Sequence, residues 1–154
     1  MNKVWMYNQK VAVIGFFGGL IWSLVGYAAF SLNFTKMGPA MAVLPWALPE
    51  WKETYLGHLA GIFFISLLSV IVAFTYRMLL QKWQSIWLAA GFGIFLWFVV
   101  YYLLHPLFPG KDPITSMSLS HLITTICLFV VYGVFIGYSI SYEYQEMQRK
   151  RKQA

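Results

Sequence analysis

The sequence predicts an all-α integral membrane protein, a bundle of four transmembrane helices with both termini on the cytoplasmic side. Three observations carry that prediction. Of 154 residues, 60% are hydrophobic, 19% aromatic and only 10% charged, whereas a soluble domain carries about 25% charged residues. A water-facing surface cannot be covered with so few charges, so lipid must solvate much of it. Four apolar segments reach the ~20 residues that a helix rising ~1.5 Å per residue needs to cross a hydrocarbon core of about 30 Å. The cations, finally, gather on alternate connecting segments.

The first helix is expected over 11–32, a run without a single charge. Lys3 and Lys10 give it a basic start. The run is longer than the ~7–15 apolar residues of a signal peptide and no Ala-x-Ala site follows, so it is retained as a helix. An outer loop, 33–53, comes next, with Gly38-Pro39, Pro45 and Pro49 among Met41, Leu44, Trp46, Leu48 and Trp51. It is too short and too broken by proline to span. It either lies in the outer interface and folds over the bundle mouth or is a plain connector.

The second helix is expected over 54–76 and the third over 85–104. A second outer loop, 105–118, leads to the fourth helix over 119–140, and a basic cytoplasmic tail, 143–154, follows. Spanning strands would alternate apolar and polar residues over about 9–11 positions, and no such alternation occurs. A helix satisfies its own backbone polar groups in lipid, so helices remain.

Orientation follows from the loops. Lys3, Lys10, Arg77, Lys82, Arg149, Lys150, Arg151 and Lys152 fall on one side, and Lys36, Lys52 and Lys111 on the other. The richer side should be cytoplasmic, which places the chain in the plasma membrane with both termini inside. The run Arg149–Lys152 after an apolar helix reads as a topology signal or an anionic-lipid contact, not as a nucleic-acid footprint spread over a face. Trp5, Trp51, Trp83, Trp87, Tyr101 and Tyr102 lie near segment ends, as interfacial belts do.

Small residues mark the helix contacts. Gly15, Gly19, Ser23 and Gly26 share one face of the first helix, and Gly57 and Gly61 repeat the spacing in the second; such faces let helices approach closely. The single cysteine, Cys127, cannot make an internal disulfide and sits in an apolar run as a small hydrophobe.

The three histidines are the candidate chemistry. His58 lies four residues into the second helix, His105 closes the third, and His121 lies one turn into the fourth. At ~1.5 Å per residue, all three fall within ~6 Å of one plane at the outer end. At ~100° per residue, His121 shares a stripe with Thr125, Tyr132 and Ser139, and His58 shares one with Gly61, Ser69 and Tyr76. Polar side chains of membrane helices face the bundle interior, so His58 and His121 are expected to point toward each other. Three neutral imidazoles could hold zinc with an open fourth position. They could equally form a proton-responsive cluster, since histidine titrates near pH ~6.5, or simply hydrogen-bond at the interface. No His-x-x-x-His or His-Glu-x-x-His spacing favours metal.

No charged residue occupies the middle of any helix, which argues against an ion pump or voltage sensor. No phosphate-binding loop, nucleophile elbow or dinucleotide fingerprint is present.

A Gly-rich first helix, a Pro-rich outer loop, Gly57-His58, Tyr76-Arg77, His105-Pro106 and Ser-x-His opening the fourth helix come in that order. In these the chain resembles, over nearly its whole length, the YqhR type of small uncharacterised membrane proteins of Bacillus and its relatives. The last three helices are also similar to YagU-like inner-membrane proteins, which have histidines at comparable places and a link to acid tolerance. That resemblance implies a shared role for His58, His105 and His121, although this chain lacks much of the longer periplasmic segment of those proteins.

The expected function is a polytopic membrane protein, without resident cofactor, that serves envelope or acid-stress physiology through the outer histidines. One alternative is a metal-dependent membrane enzyme with a three-histidine zinc site. Another is a transporter or accessory subunit that works as a homo-oligomer, with Gly15, Gly19 and Gly26 at its subunit interface.

Overall fold

Long apolar runs with few helix breakers fold as helices, and the element order follows from them. The computed structural model describes residues 2–35, 38–39, 55–103 and 118–153. Among these residues there are four helices and no strand: α1 (Asn2–Ser31), α2 (Tyr55–Leu80), α3 (Ile86–Phe98) and α4 (Leu119–Lys152). A π-helical turn, Val99–Leu103, continues α3.

Each boundary has a local cause. α1 stops where Asn33 adopts a left-handed φ of 60°, a conformation that Asn tolerates better than most residues. The amides of Phe34 and Thr35 then fold back on the Ala29 carbonyl. α4 starts at Ser118, whose hydroxyl accepts from the His121 amide, the usual way to satisfy an otherwise orphaned N–H of a first turn.

Three boundaries differ from the sequence expectation: α2 ends at Leu80 instead of 76, and the other two lie toward the chain ends. α1 begins at Asn2, nine residues before the charge-free run, and α4 runs on through the basic segment to Lys152. The reason is mutual packing. Tyr7, only 3% exposed, faces Tyr144 with ring centroids 6.1 Å apart, and Lys10 bridges to Glu143 at 2.7 Å. Each extension buries the other, so neither ends where the apolar run ends.

α2 packs mainly on α1 and α3 mainly on α4, while α1 and α4 join the two pairs. The chain ends therefore share one end of the bundle, the terminal end, and the starts of α2 and α4 share the other, the loop end. Ala73 and Val70 of α2 leave no room for a side chain at Gly15 of α1, and Ser69 and Ser66 leave none at Gly19, where a Cβ would lie 2.5 Å from that of Ser69. Gly57 and Gly61 are buried too. Gly26 is different. A Cβ there would meet nothing within 4 Å among the described residues.

Three helices, Val4–Ser31, Tyr55–Leu80 and Leu119–Lys152, are long and apolar enough to cross a membrane; the apolar helix Ile86–Tyr102 is shorter. Large apolar side chains such as Phe17, Leu59, Phe63, Ile71 and Phe95 stand on the outer surface. That is unfavourable in water and ordinary in lipid.

Candidate functional site

At the loop end, His58 sits in the first turn of α2, next to the buried Gly57 that brings α2 close to α1. Its ring packs on two rings of α1: Tyr27, with centroids 4.9 Å apart, and Phe30, at 5.4 Å. Gly38, from the following loop, lies against the same group. A Cβ there would be 3.0 Å from His58 Cε1 and 3.2 Å from the Phe30 ring. His58 Nδ1 is buried and has no hydrogen-bond partner among the described residues.

His121 lies in the first turn of α4 and is 2% exposed. Its ring meets Tyr101 of the π-helical turn edge-on, at 6.2 Å. Tyr101 stacks on Trp97 at 5.0 Å, and the Trp97 indole N–H donates to the Thr125 hydroxyl at 3.2 Å. Thr125 in turn donates to the His121 carbonyl at 2.9 Å.

The stripes expected on α2 and α4 do face inward: Gly61, Ser69 and Tyr76 are buried on one, and His121, Thr125 and Tyr132 on the other. The ring contacts of the two imidazoles, among the described residues, are with other partners than each other. Each packs on the aromatic rings of its own helix pair, His58 on α1 and His121 on the α3 side. The cause is pairing: α2 lies chiefly on α1 and α4 chiefly on α3. His105 lies outside the described residues, as do Glu50, Glu53, Asp112 and most of the Pro- and Trp-rich loop. Among the described residues no three His, Cys, Asp or Glu side chains gather as a metal site would require.

Midway along the bundle, the hydroxyls of Ser69 and Tyr132 share a hydrogen bond, and Ser69 donates to the Gly15 carbonyl at 2.6 Å. Nearby, the Trp22 indole of α1 donates to the Leu128 carbonyl of α4 at 2.9 Å and stacks on Phe135.

The terminal end holds a polar cluster that the sequence reading did not single out. The Tyr7 hydroxyl donates to Gln81 Oε1 at 3.0 Å. The Arg77 guanidinium lies over the Tyr7 ring, 5.0 Å from its centroid, and 5.9 Å from that of Phe74. Lys150 pairs with Glu146 at 2.9 Å, one helical turn away. That carboxylate is held below the ordinary range by the Lys150 hydrogen bond, and the ammonium is held above its own. A small cleft of about 150 Å³ opens between the start of α3 and α4, lined by Ser85, Ala89, Gly137 and Ser141 among others, and no charged side chain lines it. The sequence did carry a signal for the cluster: Lys10 and Glu143 are complementary charges placed just past the apolar runs of helices whose ends meet.

Gly93, Gly133 and Gly137 were also missed. A Cβ at Gly93 would run into the Phe129 carbonyl, and one at Gly133 would lie 2.6 Å from the Ala89 carbonyl. Gly133 and Gly137 stand four apart, the small-residue spacing already noted in the first two helices.

The family described as "Conserved membrane protein YqhR" matches residues 2–154. A Bacillus subtilis (strain 168) protein described as "Uncharacterized protein YqhR" is 38% identical over 142 residues, covering 92% of this chain and 80% of that protein. No solved structure matches.

Proposed function

We propose, from the premise that this chain belongs to the YqhR family of conserved membrane proteins, that it is a non-enzymatic protein that responds to acid outside the cell. In this reading it crosses the plasma membrane four times with both termini in the cytoplasm. The terminal end faces the cytoplasm because it carries eight of the eleven cations and only two of the five carboxylates. The loop end, with its histidines, then faces outward.

One observation carries the acid response. His58 is held on Tyr27 and Phe30 with a buried Nδ1 that has no hydrogen-bond partner among the described residues. Protonation turns that nitrogen into a donor that needs an acceptor. The π faces of Tyr27 and Phe30 attract the cation but do not replace an acceptor in the ring plane. The ring must therefore turn, and the α1–α2 contact at the loop end changes with it. Among the described residues Tyr27 is the titratable group facing His58, and no charged side chain does.

The test is NMR of ring-labelled histidine and tyrosine in reconstituted protein as the outer pH falls from about 7.5 to about 5.5, around the ordinary histidine range. The Tyr27 signal should move with His58 in the wild type and stay still in His58→Phe. A Tyr27 response that persists in His58→Phe would sink the reading. The zinc alternative requires His105 to join His58 and His121, and elemental analysis of protein purified without chelator decides it. Of the glycines given to the oligomer alternative, Gly15 and Gly19 lie against α2 within one chain, which supports the reading without an oligomer, while Gly26 meets nothing within 4 Å among the described residues.

A further inference from the structure

We infer that Arg77, laid over the rings of Tyr7 and Phe74 at the inner mouth of the α1–α2 groove, binds the phosphate of an anionic phospholipid.

Charge is unevenly divided between the two ends of the bundle. Lys3, Lys10, Arg77, Lys82 and the four cations of Arg149–Lys152 belong to the terminal end, with Glu143 and Glu146 as the carboxylates in the same segments. The other three carboxylates, Glu50, Glu53 and Asp112, fall in the segments joining α1 to α2 and α3 to α4, as do the other three cations. The whole net charge of +6 therefore sits at the terminal end.

Both carboxylates there are already engaged, Glu143 by Lys10 at 2.7 Å and Glu146 by Lys150 at 2.9 Å. Arg77 is thus left to aromatic faces, 5.0 Å from the Tyr7 centroid and 5.9 Å from that of Phe74. Contact with ring faces orients the guanidinium plane and leaves its edge donors without a hydrogen-bond partner among the described residues. Those donors form a fork that matches two oxygens of one phosphate.

Depth agrees with this. Trp5, Trp83 and Trp87, 64%, 63% and 87% exposed, stand at the same end and mark headgroup level, where indole rings settle. Tyr7 ties this level to α2 through Gln81, four residues past Arg77. Anionic headgroups are the phosphates that a bilayer presents at this depth. Tyr7, at 3% exposure and tied to Gln81, presents its ring to the guanidinium.

The inference rests on the helices crossing a bilayer and not on the histidine reading; His58→Phe and Arg77 variants give independent readouts. The experiment takes the full chain in mild detergent with added phosphatidylglycerol, phosphatidylcholine or inorganic phosphate. It reads retained lipid by native mass spectrometry and the thermal midpoint by tyrosine and tryptophan fluorescence.

Phosphatidylglycerol should be retained and raise the midpoint, and phosphatidylcholine should not. Arg77→Gln should cut retention about tenfold, the scale of one lost charge-assisted hydrogen bond. Arg77→Lys, which keeps the charge and loses the fork, should fall between. Replacing Arg149, Lys150, Arg151 and Lys152 together by Gln should leave most of the retention. If Arg77→Gln does not fold, Arg77→Lys decides: wild-type retention in it overturns the bidentate site. Equal retention in Arg77→Gln, or loss confined to the tail variant, overturns the inference. Protection by inorganic phosphate equal to that by phosphatidylglycerol overturns lipid as the source.

Discussion

The hydroxyl of Tyr132 on α4 meets the hydroxyl of Ser69 on α2, and Ser69 donates its one proton to the Gly15 carbonyl of α1. Serine has a single hydroxyl proton, so Tyr132 must be the donor to Ser69. Three helices are thereby tied at one point in an apolar interior, where a hydroxyl without a partner is costly.

Tyr132→Phe should cost about 0.5–1 kcal/mol, because Ser69 keeps its bond to Gly15. Ser69→Ala should cost more, about 1–2 kcal/mol, since the Tyr132 hydroxyl loses its acceptor. The double variant should cost little more than Ser69→Ala alone. Unfolding in mixed micelles with increasing denaturing detergent measures all three, and equal costs for the two single variants would refute the donor order.

The glycines should divide by what their missing Cβ would meet. Gly93→Ala and Gly133→Ala press on backbone of the partner helix and should each cost about 1–3 kcal/mol by pushing α3 off α4. Gly26→Ala and Gly91→Ala meet nothing within 4 Å and should be neutral or stabilising by up to about 1 kcal/mol. Thermal midpoints in one detergent compare the four directly.

At His58, the aromatic contacts and the titration separate. His58→Phe keeps a ring on Tyr27 and Phe30 and should leave stability within about 1 kcal/mol. His58→Ala removes both ring contacts and should cost about 1–2 kcal/mol. Unfolding at neutral pH orders the two, and a His58→Phe variant as unstable as His58→Ala would mean that the nitrogens matter more than the ring.

The Glu146–Lys150 pair sets a pH window for the end of α4. The carboxylate is held below its ordinary value, so its contribution is present above that value and is lost as pH falls through the lowered one. The ammonium is held above its own, so its contribution is present below the ordinary lysine range and fades as pH rises through the raised value. The protection of the amides over 149–152, relative to their intrinsic exchange rate at each pH, should therefore be greatest at intermediate pH and fall toward acid. In Glu146→Gln the acid arm should vanish, with little effect on global stability because both groups are exposed.

The amino-acid order by itself determined the class of fold, since a chain with 10% charge and four long apolar runs can satisfy its backbone in lipid only as helices. It also put Gly15 and Gly19 on one face of the first helix and grouped Ser69 with Tyr76 and His121 with Tyr132, because periodicity reports which residues share a helix face. Periodicity does not report which neighbour does the burying. That was decided only by tertiary pairing, which put His58 on Tyr27 and Phe30 and His121 on Tyr101. The same pairing carried α4 through its basic end by packing Tyr144 on Tyr7, and set Arg77 over that ring. These contacts join residues far apart in the chain, and their free energy comes from surfaces that exist only once the helices have docked.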